Sequence, residues 1–107
     1  MIVYLAGPMT ATDKRTVADN VANALLFYHQ LIRAGVCAFC PQLDALAPGA
    51  FDIPYERWME HDFAVIERCD VVLMLPNWET SGGAKREHVY ALKQCKRIVY
   101  DVKELLT

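Results

Sequence analysis

"DVVLMLP", Asp70 to Pro76, is the segment whose reading decides the fold. Val71, Val72, Leu73, Met74 and Leu75 follow one another without a polar break. A strand with one wet face alternates apolar and polar residues. One covered on both faces does not, and that is the pattern of a parallel sheet between helices. Pro76 ends the run, because it lacks the amide a sheet ladder needs.

Reading outward, Ile2 to Ala6 is a second short apolar run, closed by Gly7-Pro8. Val36 to Phe39 and "RIVYD", from Arg97, supply two more strands. Helical segments separate them. From about Lys14, Val17, Val21, Leu25, Tyr28 and Leu31-Ile32 recur at helical spacing, and Gly35 is a fitting stop. A second helix is expected from Tyr55 to Arg68, with Trp58, Met59, Phe63 and Ile66 on one broad face. A third runs from Gly82 or Gly83 to about Gln94, and "VKELL" is a short helix or tail. The order β-α-β-α-β-α-β predicts a single α/β domain over residues 1–107. It is a flavodoxin/Rossmann-like three-layer fold whose four-stranded parallel sheet, of order 2-1-3-4, carries helices on both faces.

Bulk properties fit. A 107-residue chain with 54% hydrophobic residues suits one ordered domain; at this size folding buries roughly 60–70% of the unfolded surface. The formal charge is −2 and no like-charge run occurs, which argues against a nucleic-acid polymer as partner. No apolar stretch approaches the ~20 residues of a membrane span. "MIVYLAGPMT" lacks the basic start of a signal peptide, so a cytoplasmic protein is expected. Four cysteines then read as free thiols, with Cys37, Cys69 and Cys95 acting as small core hydrophobes. Cys37 and Cys40 form a C-x-x-C without a second pair of ligands, so zinc is not expected. A redox reading conflicts with its place in a strand ahead of Pro41.

In such a sheet, ligands bind beyond the carboxyl ends of the strands. Three features converge there. In "YLAGPMT", Gly7 permits close backbone approach and Thr10 and Thr12 offer hydroxyls; the alternative is a tight turn at Gly7-Pro8. Asp62, in "WMEHDFAVIERCD", lies beside the apolar face of the second helix, either in water at its margin or turned into a pocket, and His61 reads as a surface residue. Ser81-Gly82-Gly83-Ala84 precedes Glu87 by one turn. Ser81 is a natural N-cap, and free amides with the helix dipole attract an anion; the alternative is an ordinary cap with an exposed glutamate. The long loop "PQLDALAPGAFDIP", Pro41 to Pro54, closes the edge. Two acids with split roles recur in glycoside cleavage.

The combination of "IVYLAGPMT", "HDFAVIERCDVVLML" and "SGGAKRE" resembles the nucleoside 2-deoxyribosyltransferase superfamily, above all its small 2′-deoxynucleoside 5′-phosphate N-hydrolases and domains of the DUF4406 type. The resemblance implies cleavage of an N-glycosidic bond in a nucleoside 5′-monophosphate or nucleoside, by hydrolysis or base exchange. Glu87 would be the nucleophile, Asp62 would assist departure of the base, and Tyr4 would approach the sugar. Gly7, Pro8, Thr10, Ser81, Gly82 and Gly83 would contact substrate or phosphate. Trp78 has no clear role in the family pattern; it could stack on a base or simply cap the sheet edge. The resemblance implies no metal or organic cofactor, and a homo-oligomer. The first loop, "GPMTATDKR", departs from the hydrolases' glycine- and arginine-rich version, so phosphate contact falls to backbone amides, Thr10 and Arg15. The other reading is a nucleotide or nucleotide-signal binding module that keeps the pocket without turnover.

Overall fold

The computed structural model describes residues 1–9 and 14–106, with Lys14 described by its backbone alone. Thr10 and Thr12 therefore lie outside the described residues. Strands β1 (Ile2–Ala6), β2 (Cys37–Phe39), β3 (Val71–Met74) and β4 (Arg97–Val99) alternate with helices α1 (Lys14–Arg33), α2 (Tyr55–Arg68) and α3 (Gly82–Lys93). The sheet is parallel throughout, in the order β2-β1-β3-β4. Val3 pairs with Ala38 on one side and with Val71 on the other, so β1 is a central strand.

The chain leaves β1 toward β2 and then moves the opposite way to β3 and β4. Right-handed crossovers consequently put α1 on one face and α2 and α3 on the other. The core divides accordingly. Val3, Leu5, Val71, Leu73 and Val99 pack with Ala24 and Leu31 of α1. Tyr4, Ala6, Val72 and Met74 pack with Ile66 of α2 and Ala91 of α3. The unbroken apolar run of β3 is thus buried on both sides, with all four strand residues inaccessible.

Three local expectations change. In α1 the buried stripe is Val17, Val21, Ala24 and Leu31; Leu25 is half-buried and Ile32 is exposed. Small Ala24 lets α1 lie close to the sheet, and Ile32 sits one position past the stripe. The Pro41–Pro54 segment is not plain loop but holds two 3-10 turns, Pro41–Leu46 and Ala50–Asp52. Cys37 and Cys95 are exposed, not core hydrophobes; Cys40 and Cys69 are buried.

The two Schellman ends explain Cys95. α1 closes with Val36 donating to Leu31 O at 2.9 Å and Gly35 at φ 78. α3 closes the same way, with Lys96 donating to Ala91 O at 3.0 Å, and Cys95 takes the left-handed position at φ 55. The cysteine occupies a place that glycine fills without steric cost. Burial raises the Cys40 thiol above its ordinary range, which opposes a reactive thiolate in the C-x-x-C.

Candidate functional site

Strand order reverses between β1 and β3, and a cavity of about 300 Å³ lies past their carboxyl ends. α2 and α3 supply its acidic floor through one device used twice. In α2 the buried residues are Met59, Asp62 and Ile66; in α3 they are Ala84, Glu87 and Ala91. Each carboxylate holds the middle of a stripe that helical spacing turns toward the sheet. Phe63 and Tyr90 stack across the two helices, with ring centroids 4.3 Å apart. Asp62 is 3% exposed and Glu87 5%, so the pocket and not the solvated margin is where both acids lie.

Tyr4 joins them. Its place on the α2/α3 face of β1 sends the phenol under the cavity, where the hydroxyl donates to Glu87 Oε2 and also reaches the Asp62 carboxyl. Tyr4 is wholly buried and does not line the cavity, so it touches the acids from below. His61 contacts Asp62 from a different direction, with Nδ1 3.1 Å from Oδ1.

Burial sets the charges of this cluster. It pushes the Glu87 carboxyl up to about 8; the Tyr4 hydrogen bond opposes the rise and the Asp62 charge adds to it. Burial also raises Asp62, the His61 hydrogen bond pulls the other way, and the Asp44 charge adds to the rise. The Tyr4 hydroxyl is driven well above its ordinary value by burial and then by the two acids. At neutral pH the cluster therefore holds a proton on Glu87.

The amino end of α3 forms one wall. Ser81 caps the helix by accepting from Ala84 N at 3.1 Å, and Ser81, Gly82, Gly83 and Ala84 all face the cavity. A Cβ on Gly83 would lie 3.4 Å from the Tyr55 hydroxyl, whereas one on Gly82 would meet nothing within 4 Å. None of the described lining residues is Lys or Arg. Anion attraction there rests on the amides and dipole of α3.

Gly7 lines the cavity, but packing also demands it. A Cβ there would stand 2.8 Å from Leu75 Cβ, where Leu75 N donates to Ala6 O at 2.8 Å. Pro8 lines a neighbouring cavity of about 720 Å³ between α1 and the end of β3, which shares Thr80 and Ser81 with the first. Trp78 lines neither: a 3-10 turn, Trp78–Thr80, carries its indole over the His88 ring at 4.5 Å and near Tyr100. The aromatic wall comes from Phe51, Tyr55 and Trp58 instead. Trp58 Nε1 donates to Ala50 O at 2.8 Å, which ties the long segment to α2.

Gln42 is a site residue that sequence reasoning missed. It is 1% exposed, and its Nε2 donates to Leu5 O at 3.3 Å and to Gly7 O at 3.4 Å. It thereby clamps the end of β1 to the long segment. At the rim, Arg86 bridges α3 to α2 through both oxygens of Glu56, at 2.7 and 3.1 Å.

No described helix is long and apolar enough to cross a membrane. Comparison with curated proteins gave no match. The family model for a domain of unknown function, DUF4406, matches residues 1–100, and the chain belongs to that family.

Proposed function

We propose that the chain is an N-glycosidase acting on a nucleoside 5′-monophosphate or nucleoside. One observation carries the reading: two buried carboxyls from neighbouring helices share a tyrosine hydroxyl at the floor of a cavity beside a helix amino end. Each part has a use. When the Tyr4 hydroxyl turns its proton from Glu87 toward Asp62, its oxygen accepts from the Glu87 carboxyl, and transfer along both bonds leaves Glu87 as the nucleophile and Asp62 as the acid. Glu87 oxygen bonds to C1′ while the bond from C1′ to the base nitrogen breaks. The electron pair leaves with the base, which takes the Asp62 proton. Water then bonds to C1′, frees Glu87 and returns a proton to Asp62; a second base in place of water gives transfer.

Phe51, Tyr55 and Trp58 offer flat surfaces for a base. Ser81, Gly82 and Gly83 suit a phosphate. On this reading the chain is also a homo-oligomer, in keeping with Val89 and Leu92 of α3, which are 49% and 56% exposed. A second reading, a binding module without turnover, draws on the proton that Glu87 retains to about pH 8. A neutral carboxyl can donate a hydrogen bond to a ligand without attacking it.

The test is release of free base from a panel of ribo- and deoxyribonucleosides and their 5′-monophosphates, resolved by chromatography, beside Glu87→Ala. The glycosidase requires release by the wild type and none by the variant. Binding of monophosphates with no release from any compound would establish the second reading in its place.

A further inference from the structure

His61 differs from every other polar group of the cluster in where it stands. Its side chain is 52% exposed, whereas that of Asp62 is 5% exposed, yet the two meet at 3.1 Å. His61 does not line the cavity. Its ring is held outside, between the edge of Trp58 at 6.0 Å and Phe39 at 6.4 Å between centroids. A ligand filling the cavity would cover Asp62 and Glu87 from the front and leave this ring in water. From it the contacts run inward: His61 Nδ1 to Asp62 Oδ1, Asp62 to the Tyr4 hydroxyl, and Tyr4 to Glu87 Oε2.

We propose that His61 is a back-door proton exchanger, which sets the proton occupancy of the Asp62–Glu87 pair while a ligand closes the cavity. The neutral Nδ1–H imidazole takes a proton from water at Nε2, gives its Nδ1 proton to Asp62 Oδ1 and remains as the neutral Nε2–H form, which ring rotation or tautomer exchange with water resets. The reverse sequence removes one. His61 is a positioning residue in this role, since it acts through Asp62 and touches no substrate. Other titratable groups among the described residues face the pair as well. Asp44 acts on Asp62 from the turn after β2, Tyr4 from β1 and Glu87 from α3. On α2 itself Arg57 and Glu60 are bonded to each other at 3.3 Å. The histidine is thus the exposed end of the line. The kinetic part of the proposal rests on the glycosidase reading; the titration part does not.

The experiment follows the Asp62 carboxyl by carbon-13 NMR across pH, in the wild type, His61→Ala and His61→Gln, each with and without inorganic phosphate. Base release is measured against pH in the same proteins. Removal of the ring takes away the contact that lowers Asp62. Its midpoint therefore moves upward in His61→Ala, and the acid limb of base release, where Asp62 takes up a second proton beside that of Glu87, moves upward with it at nearly unchanged plateau rate. His61→Gln, a neutral donor, shifts both by less, and imidazole added to His61→Ala draws both back. A purely structural role would lower the plateau and leave the limb in place, and that result overturns the proposal. So does an Asp62 midpoint that ignores both substitutions. Absence of base release in the wild type would instead remove the glycosidase reading, and the titration would still decide whether His61 governs Asp62.

Discussion

Glu87→Gln should stabilise the protein, by an amount that grows as pH rises above 4.5 and levels off above pH 8. The folded chain holds the Glu87 proton to about pH 8 against an ordinary 4.5. Between those values the folded state keeps a proton that the unfolded chain has released. Stability attached to this group is full below pH 4.5, is lost progressively as pH rises, and reaches its floor above pH 8. One unit of displacement is worth about 1.4 kcal/mol, so the whole span amounts to about 3–5 kcal/mol. Glutamine has nearly the same shape, an oxygen to accept from Tyr4 and no proton to lose. Urea unfolding from pH 4.5 to 9 provides the assay. The two proteins should coincide within about 1 kcal/mol at pH 4.5 and diverge by several kcal/mol at pH 8.5, a midpoint difference of at least about 1 M urea. Groups common to both proteins largely cancel in the difference curve. Parallel curves, or a variant less stable than wild type at pH 8.5, would refute the claim that burial holds Glu87 neutral.

Three further substitutions probe the frame. Cys95→Gly relieves a left-handed residue at an exposed helix end and should raise stability by about 0.5–1 kcal/mol, read by thermal unfolding. Gly7→Ala drives a methyl to 2.8 Å from Leu75 Cβ and should cost about 1–3 kcal/mol in urea unfolding, with or without ligand. Gly82→Ala and Gly83→Ala form a matched pair at the cavity wall. A methyl on Gly82 meets no protein atom within 4 Å and one on Gly83 lies 3.4 Å from the Tyr55 hydroxyl, so neither should change stability by more than about 1 kcal/mol in urea unfolding, whereas both intrude on the wall that suits a phosphate and should weaken nucleotide binding by calorimetry several-fold.

The parts of the fold legible in the sequence were those set by local pattern. Uninterrupted Val71 to Leu75 demanded cover on both faces, which carried the parallel sheet, and the β-α alternation with right-handed crossovers carried its order. Gly35 announced its helix end; Cys95 did the same work without announcing it, since only the chain geometry requires a left-handed residue there. Asp62 and Glu87 were visible as candidates because their helical spacing is legible, but burial depends on α2 meeting α3 over Tyr4. Gln42 carried no signal at all. A glutamine in a proline-bearing segment reads as solvated until the carbonyls of Leu5 and Gly7, far away in sequence, become its partners. Trp78 was open between two readings for a similar reason: only the three-residue turn, which rotates it onto His88, separates them.

The hydrogen bond from Tyr4 to Glu87 spans 83 residues of sequence. At a synthesis rate of about 5–20 residues per second, roughly 4–17 s separate the appearance of the two partners on the ribosome. Through that interval the apolar β1 waits, first for β2 and then for β3, with its ladder groups unmatched and its tyrosine without an acceptor. The cluster can close only once α3 is made, which in chain order falls after β2 and β3 and before β4. No folding intermediate that lacks α3 can bind through it, and a nascent chain exposes an aggregation-prone strand before it owns anything resembling a site.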